Sequence, residues 1–415
     1  MIFQRQRLSP VDAGALRALG ARNGWLVETT DTLRCGFGEG VVTVDLAGGL
    51  DRDTDVRAAL AEHELVGVEG PPGTGITAFG TLPFDRDAAS RLTVPRYVLT
   101  QTRSGDAWLT SPTSPTSPSW HELLAGAAPP TQETQSLRSL TFQPTPEEYA
   151  HRVALAVEVL RRQEIDKVVL ARAVLGSVAE SIDAAAVAER LRLREPICTI
   201  YSLPTNDGRR FVGASPELLV RRVGSALHCH PLAGTIALPP NVAPDDYETW
   251  LLGSTKNLHE HAVVVNDIVR LLAQRCDDIH VDSSPSIVAL RTVAHLGTWI
   301  KGHCRELDEA PDAMEILRLL HPTAAVGGIP RDRAYSWISQ LEQYDRGHYA
   351  GPLGWIDAEG DGEWWVGIRG VIIDGAEFEA WAGAGIVSES DPIAEREETK
   401  DKLTSVLSTV LFERV

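Results

Sequence analysis

Cysteine is scarce in this 415-residue chain and badly placed for cross-linking. Cys35, Cys198, Cys229, Cys276 and Cys304 are odd in number, widely spaced and form no CxxC pair, which argues against a disulfide framework and against a zinc ribbon. A reducing, cytoplasmic setting is the expectation. Basic charge is also short: 39 Lys and Arg face 57 Asp and Glu, for a net charge of −18. Neither nucleic acid nor an anionic membrane is an expected partner of such a surface, and an anionic small substrate would need local positive charge or a metal. No apolar run approaches the roughly 18 residues that cross a bilayer, and the N-terminal MIFQRQRLSPVDAG has no long apolar core, so neither export nor membrane spanning is expected. No repeat of fixed period between about 20 and 50 residues emerges.

The chain is 43% hydrophobic and 23% charged, enough to bury a large core, and length alone suggests two or three domains. Residues 1 to about 105 hold short apolar runs broken by Gly and Pro (Gly40–Leu46, Leu65–Val68, Tyr97–Gln101) and an Ala-rich helical piece at Asp55–His63. Thr-Ser-Pro then recurs from Thr110 to Pro118. Residues before proline are pushed toward extended geometry, so a polyproline-like or disordered surface segment is expected there.

From Thr145 onward the pattern sharpens. Thr145-Pro-Glu-Glu148 is a capping box opening a helix with Val153, Val157 and Leu160 on one face,. Asp166–Leu175, Cys198–Leu203, Phe211–Val223, Ala226–Leu232 and Val288–Lys301 are strand-like. Helices are expected at Asp183–Leu193, at Asp246–Leu272 with a break at Gly253, at Asp312–Leu320 and at Arg331–Leu341. Near the C-terminus three strands, Gly354–Asp357, Trp364–Ile373 and Glu377–Ile386, are divided by the turns Asp357-Ala-Glu-Gly360 and Asp374-Gly375, which favours an antiparallel meander. The helix after them puts Glu395, Glu398 and Lys402 on one face. Groups of strands with helices between them point to an α+β fold.

Several residues stand out chemically. Arg369 lies inside an otherwise apolar strand. Glu260 shares a helix face with Val263, Val264, Asp267 and Leu271, and a carboxylate on an apolar stripe wants a partner. The surrounding His259-Glu-His261 is not a metalloprotease motif, because HExxH spacing would need His where Val263 stands,. Gly383-Ala-Gly385 is not a dinucleotide fingerprint, lacking both the third glycine and a βαβ setting. On pattern alone Lys167 is a lysine at a strand end, Glu217 a solvent-exposed turn residue and Glu260 either an ordinary exposed glutamate or a buried salt-bridge partner.

Taken together in chain order, KVVLAR (167–172), GASPELLV (213–220), PLAGT (231–235), LHEHAVVV (258–265), HLGTWIKG (295–302), LHPTAAVGG (320–328), YDRGHYAGPLGW (344–355), GIRGVII, AGAGIV and EREETKDKL resemble the chorismate-utilising enzymes. That family includes isochorismate, salicylate, anthranilate and aminodeoxychorismate synthases. The resemblance covers about residues 140 to 415. It implies residues 1–415 as one chorismate-binding unit, with 1–140 a weakly recognised N-terminal part and 141–415 the catalytic core. The implied fold is α+β: two large, mostly antiparallel sheets packed across each other, helices outside and the site between them, in a monomer.

The same resemblance assigns roles. Glu260 and Glu398, with Glu395 directly or through water, would ligate Mg²⁺, for which an all-carboxylate set is suited. Lys167 would be the general base, which requires burial or nearby positive charge to release its proton. Glu217 would be the general acid. Arg369, Tyr349, Lys402 and the backbone at Gly385 would bind the carboxylates of chorismate. Gly234, Thr235, His295, Thr298 and Ile368 would complete the substrate pocket, with a purely structural role for His295 equally open. Lys167 points to water as nucleophile, where anthranilate-forming relatives carry Gln, and Ala233 departs from the lysine of the aminodeoxychorismate branch. An LLES-type motif of tryptophan-regulated members is missing from the N-terminal third. Ile368 resembles isochorismate synthases, whereas Tyr349 is shared with salicylate synthases and Gly367 departs from the Thr common to both. The expectation is an isochorismate synthase, with salicylate synthase as the alternative. A non-catalytic chorismate-binding protein and a metal-dependent hydrolase are the remaining rivals.

Overall fold

The computed structural model describes residues 1–50, 54–113, 122, 124, 127–130, 134–238, 243–304 and 310–411. Local signals act as their chemistry dictates. The Thr145 side chain accepts from the Glu148 N–H while the Glu148 carboxylate accepts from the Thr145 N–H at 2.9 Å, starting the helix Pro146–Arg161. Ser254 is extended and separates the helix Pro244–Gly253 from Thr255–Leu272, and its hydroxyl accepts from the Asn257 N–H at 3.2 Å. The break expected at Gly253 therefore falls one residue on.

The class is α+β, as expected. Among the described residues, hydrogen bonding joins 20 strands into one network and three more, Leu232–Ala237, Val293–Gly297 and Ser286–Ala289, into a small antiparallel sheet, with nine helices around them. The pairings are antiparallel apart from Ile2–Leu8 with Glu64–Gly67. The strand Lys167–Val178 runs beside Glu377–Ile386, with Val169 opposite Gly385 and Leu170 opposite Ala384.

Four expected strands are interrupted, and the interruptions organise the site. Phe211–Val223 divides into Arg210–Ser215 and Leu218–Val223, and Trp364–Ile373 into Gly362–Val366 and Gly370–Asp374. Val288–Lys301 divides into Ser286–Ala289, Val293–Gly297 and Ile300–Cys304, and Ala226–Leu232 ends at His230 before a new strand starts at Leu232. Pro216 cannot donate to a ladder, and Arg369 stands at φ +56°, outside strand geometry. Arg369 is thus not within a strand but between two. The first two breaks lie side by side, because Arg210–Ser215 pairs with Gly370–Asp374 and Leu218–Val223 with Gly362–Val366.

The N-terminal third is woven into this framework. Trp25–Glu28 pairs with Thr199–Pro204, and Thr77–Thr81 with Pro352–Asp357. Val27, Phe79 and Val98 share a buried cluster with Tyr201, Leu203, Phe211 and Trp355. The Thr-Ser-Pro run is corrected in its first part: Thr110–Pro112 closes the strand Ala107–Pro112, with Thr110 buried and its hydroxyl donating to Thr74 O at 2.6 Å. Pairing with Arg5 and Val98 overrides the extended, solvated conformation that proline alone favours. Residues 114–118 lie outside the described residues.

Candidate active site

Lys167 opens the strand Lys167–Val178 and is fully buried. Its Nζ lies 3.0 Å from Glu260 Oε1, a close charge contact whose alignment does not make a hydrogen bond. Glu260 comes from the helix Thr255–Leu272, where Val264, Ile268 and Leu271 bury the neighbouring face. Gly385, on the facing strand, makes the approach possible: a Cβ there would stand 2.1 Å from Glu260 Oε1 and 3.0 Å from Lys167 Cε.

Glu217 occupies the interruption after Pro216 and is 4% exposed. Burial pushes its carboxyl up to about 8, outweighing the opposing pull of Lys167, the Leu232 N–H and Lys402. At neutral pH this group holds its proton, as a general acid requires.

Arg369 sits in the matching interruption. A left-handed backbone is uncommon for a residue with a side chain and persists only where surroundings enforce it. Here the Tyr201 hydroxyl donates to Ile368 O at 3.0 Å, and the Ala214 N–H donates to Arg369 O at 3.1 Å. The Arg369 guanidinium donates to His295 Nε2 at 2.8 Å. That leaves the proton of a neutral His295 on Nδ1, which faces Thr235 Oγ1 at 3.0 Å,. Burial, Arg369 and Lys402 hold His295 well below its usual pKa, so it acts as a neutral acceptor that aims the guanidinium.

The helix Pro392–Val410 supplies the remaining charges. Lys402 Nζ donates to Glu398 Oε1 at 2.7 Å and to Gly383 O at 2.8 Å. Glu395 is 1% exposed and accepts from Lys256 Nζ at 2.5 Å, while burial and the neighbouring Glu398 raise its pKa. Tyr349 stacks on Trp381 with ring centroids 5.7 Å apart, and burial pushes its phenol up to about 12, so the hydroxyl remains a donor.

Glu217, Thr235, Glu260, His295, Tyr349, Ile368, Arg369, Gly385, Glu398 and Lys402 all line one cavity of about 690 Å³, counted to its open mouth. Four other expected site residues stand outside that lining. Lys167 lies behind Glu260. Gly234 at φ +74° passes beneath the Asn257 backbone, where a Cβ would meet Asn257 O at 2.9 Å. Thr298 Oγ1 is 2.7 Å from His261 Nε2, and Glu395 is held by Lys256. Ala325 and Val326, from the LHPTAAVGG turn, also form the wall, and unanticipated wall residues include Trp381 and Arg346. Trp381, Gly383 and Gly385 alternate along one strand and so share a face, a signal that could have found Trp381. Arg346 pairs with Glu342 and donates to the carbonyls of Val326 and Val169, bracing the wall.

A carboxyl held protonated by burial, a buried lysine behind the cavity wall and cations facing the cavity define an enzyme site for a small anionic molecule. Residues 50–411 match the family model described as chorismate binding enzyme, and the chain belongs to that family. Over 356 residues it is 33% identical to isochorismate synthase EntC of Escherichia coli K12, covering 85% of this chain and 84% of that protein. Over 338 residues it is 31% identical to the vibriobactin-specific isochorismate synthase of Vibrio cholerae, covering 81% and 79%. The structure of MenF, the menaquinone-specific isochorismate synthase of Escherichia coli, superposes with a TM-score of 0.82 at 26% identity, covering 98% of this chain and 94% of that one. The match begins well upstream of residue 140, where recognisable motifs start. Among the described residues no helix is long and apolar enough to cross a membrane.

Proposed function

We propose that the chain is an isochorismate synthase, an isomerase that moves a hydroxyl from C4 to C2 of chorismate. The observation that carries the reading is Glu217, kept protonated by burial in the cavity that Glu260 also lines, with Lys167 directly behind Glu260. Several similar proteins of this family bear the isochorismate synthase name, which supports the same reaction.

Among the described residues no cluster of three or more His, Cys, Asp or Glu is close enough to hold a metal unaided. Mg²⁺ does not need one: it takes one or two protein carboxylates and completes its shell with water and substrate oxygens. Glu260 and Glu398 line the cavity together, and the absence of a side chain at Gly385 leaves room for the Glu260 carboxylate, so these residues fit the ion. Glu395, held by Lys256, would contribute through water. Bound there, Mg²⁺ would neutralise the ring carboxylate of chorismate and draw charge from its diene.

Every other role belongs to this chain's residues. Arg369, aimed by His295 and Thr235, binds a carboxylate in bidentate fashion, with Lys402 and the Tyr349 hydroxyl beside it. Lys167, whose Nζ lacks an aligned hydrogen-bond partner, takes a proton from the water that attacks C2. The ring double bonds shift, and Glu217 gives its proton to the C4 hydroxyl as that group leaves as water. One water enters and one departs, so the reaction is an isomerisation and reversible. Whether the product serves menaquinone or a siderophore is set by neighbouring enzymes.

The test is incubation of the purified protein with chorismate and Mg²⁺, with products separated by chromatography. Isochorismate is expected, EDTA should abolish its formation and added Mg²⁺ restore it. Undiminished turnover in EDTA would remove the metal from the reading, and unchanged chorismate under all conditions would leave only a binding protein.

A further inference from the structure

Each of the three carboxylates assigned above to the metal centre has a lysine beside it. Lys167 lies 3.0 Å from Glu260, Lys402 2.7 Å from Glu398 and Lys256 2.5 Å from Glu395. Two of these lysines have work in the proposed reaction. Lys256 has none, and its surroundings differ from theirs. It stands in the first turn of the helix Thr255–Leu272, one turn before Glu260 and on the same face,. Its side chain is 32% exposed, whereas its partner Glu395 is 2% exposed. Burial works against the Lys256 charge, but Glu395, Glu398 and Glu260 together outweigh it. Lys256 thus holds Glu395 directly at 2.5 Å, one helical turn from Glu260, while Glu395 lies one turn from Glu398 on its own helix.

We propose that Lys256 competes with the divalent cation for this carboxylate cluster and thereby sets the metal affinity of the site. The inference rests on the reading that Glu260 and Glu398 hold the metal. A carboxylate as buried as Glu395 stays charged only with a cationic neighbour. Lys256 supplies one in the metal-free protein, and a divalent cation beside Glu398 and Glu260 supplies another. The two cations repel, and only Lys256 has a flexible four-carbon stem with a path to water. Metal entry would then turn the Lys256 ammonium outward, and the net charge of the cluster would rise by one rather than two.

The measurement is Mn²⁺ binding to the substrate-free protein, with free ion counted by its EPR signal, for the unmodified chain, Lys256→Gln, Lys256→Arg and Glu398→Gln. Removing the competing charge should tighten Mn²⁺ binding at least about tenfold in Lys256→Gln. Lys256→Arg keeps the charge and should stay within about threefold of the unmodified protein. Unchanged or weaker binding in Lys256→Gln, with binding lost in Glu398→Gln, overturns the role of Lys256 and leaves the metal centre standing. Equal binding by the unmodified protein and Glu398→Gln, or no saturable binding by either, overturns the metal centre and this inference with it. Thermal melting guards against a folding artefact. Lys256→Gln should melt lower in chelator and recover in Mn²⁺, and a variant that fails to fold in both counts against the proposal.

Discussion

At the residue scale the proposed reaction rests on Glu217 and Lys167, and burial sets the protonation of Glu217. Glu217 is pushed up to about 8 by burial, and its role requires the protonated form, which predominates below that value. Turnover is therefore expected to hold from about pH 6 to 7 and to fall as pH rises through about 8. Glu217→Gln should remove that limb of the profile together with at least about 10²-fold of the rate, and Lys167→Ala should cost a similar factor. A folded variant with near-normal turnover takes its residue out of the mechanism. Product partition belongs to another residue. Ile368 lines the cavity while its carbonyl is pinned by the Tyr201 hydroxyl. Its β-branched side chain is stiff and keeps a methyl close to the backbone, whereas Leu moves that bulk outward. Salicylate forms only if the enolpyruvyl side chain folds over the ring, its ether bond breaks and a ring hydrogen transfers. About 1.36 kcal/mol of packing shifts that ratio tenfold. Isochorismate is expected as the main product near neutral pH, with a larger salicylate fraction in Ile368→Leu. Stoichiometric pyruvate and salicylate from the unmodified protein, sampled before isochorismate decays, would place it in the other branch.

At the scale of elements, the alternation of apolar residues marked the strands but not their breaks. Ser215-Pro216-Glu217 was a readable break in Phe211–Val223,, whereas in Trp364–Ile373 the polar Arg369 stands alone among apolar residues and glycines, and periodicity has little reason to stop there. Beyond each other, the halves have different neighbours, Thr199–Pro204 beside Arg210–Ser215 and Ala226–His230 beside Leu218–Val223, and pairing partners are a property of the folded sheet. Helix ends were more legible, since caps such as Thr145 and Ser254 act within four residues of themselves. The same scale predicts the effect of Gly385→Ala. The new methyl would meet the flexible end of Glu260 at 2.1 Å rather than backbone, so the carboxylate should swing aside and the strand should survive. Circular dichroism should be unchanged, while Mn²⁺ affinity and turnover both drop. Intact metal binding in Gly385→Ala would show that Glu260 has another way in.

At the scale of the whole molecule, strands from the N-terminal third pair within the same sheet network as the rest of the described residues. Strands from that part pair with Thr199–Pro204 and with Pro352–Asp357, and Val27 and Phe79 help to bury Tyr201 and Trp355. A fragment beginning at residue 141 would expose those edges and faces, and exposed strand edges pair with other chains. It is expected to aggregate or remain unfolded, as sedimentation and circular dichroism would show, and a soluble, active fragment would prove the N-terminal part dispensable. The sequence by itself determined the α+β class, the helix caps and the ordered motifs, because these depend on residues near one another in the chain. It also yielded the charged residues Glu217, Glu260, Arg369, Glu398 and Lys402 of the cavity lining, through resemblance rather than through periodicity. Only the tertiary structure decided that Glu217 keeps its proton, that Arg369 lies between strands under the control of His295, and that Lys256 sits among the carboxylates. Burial and charge contacts arise between segments far apart in the chain, 74 residues for Arg369 and His295 and 139 for Lys256 and Glu395, and no local pattern encodes their sum.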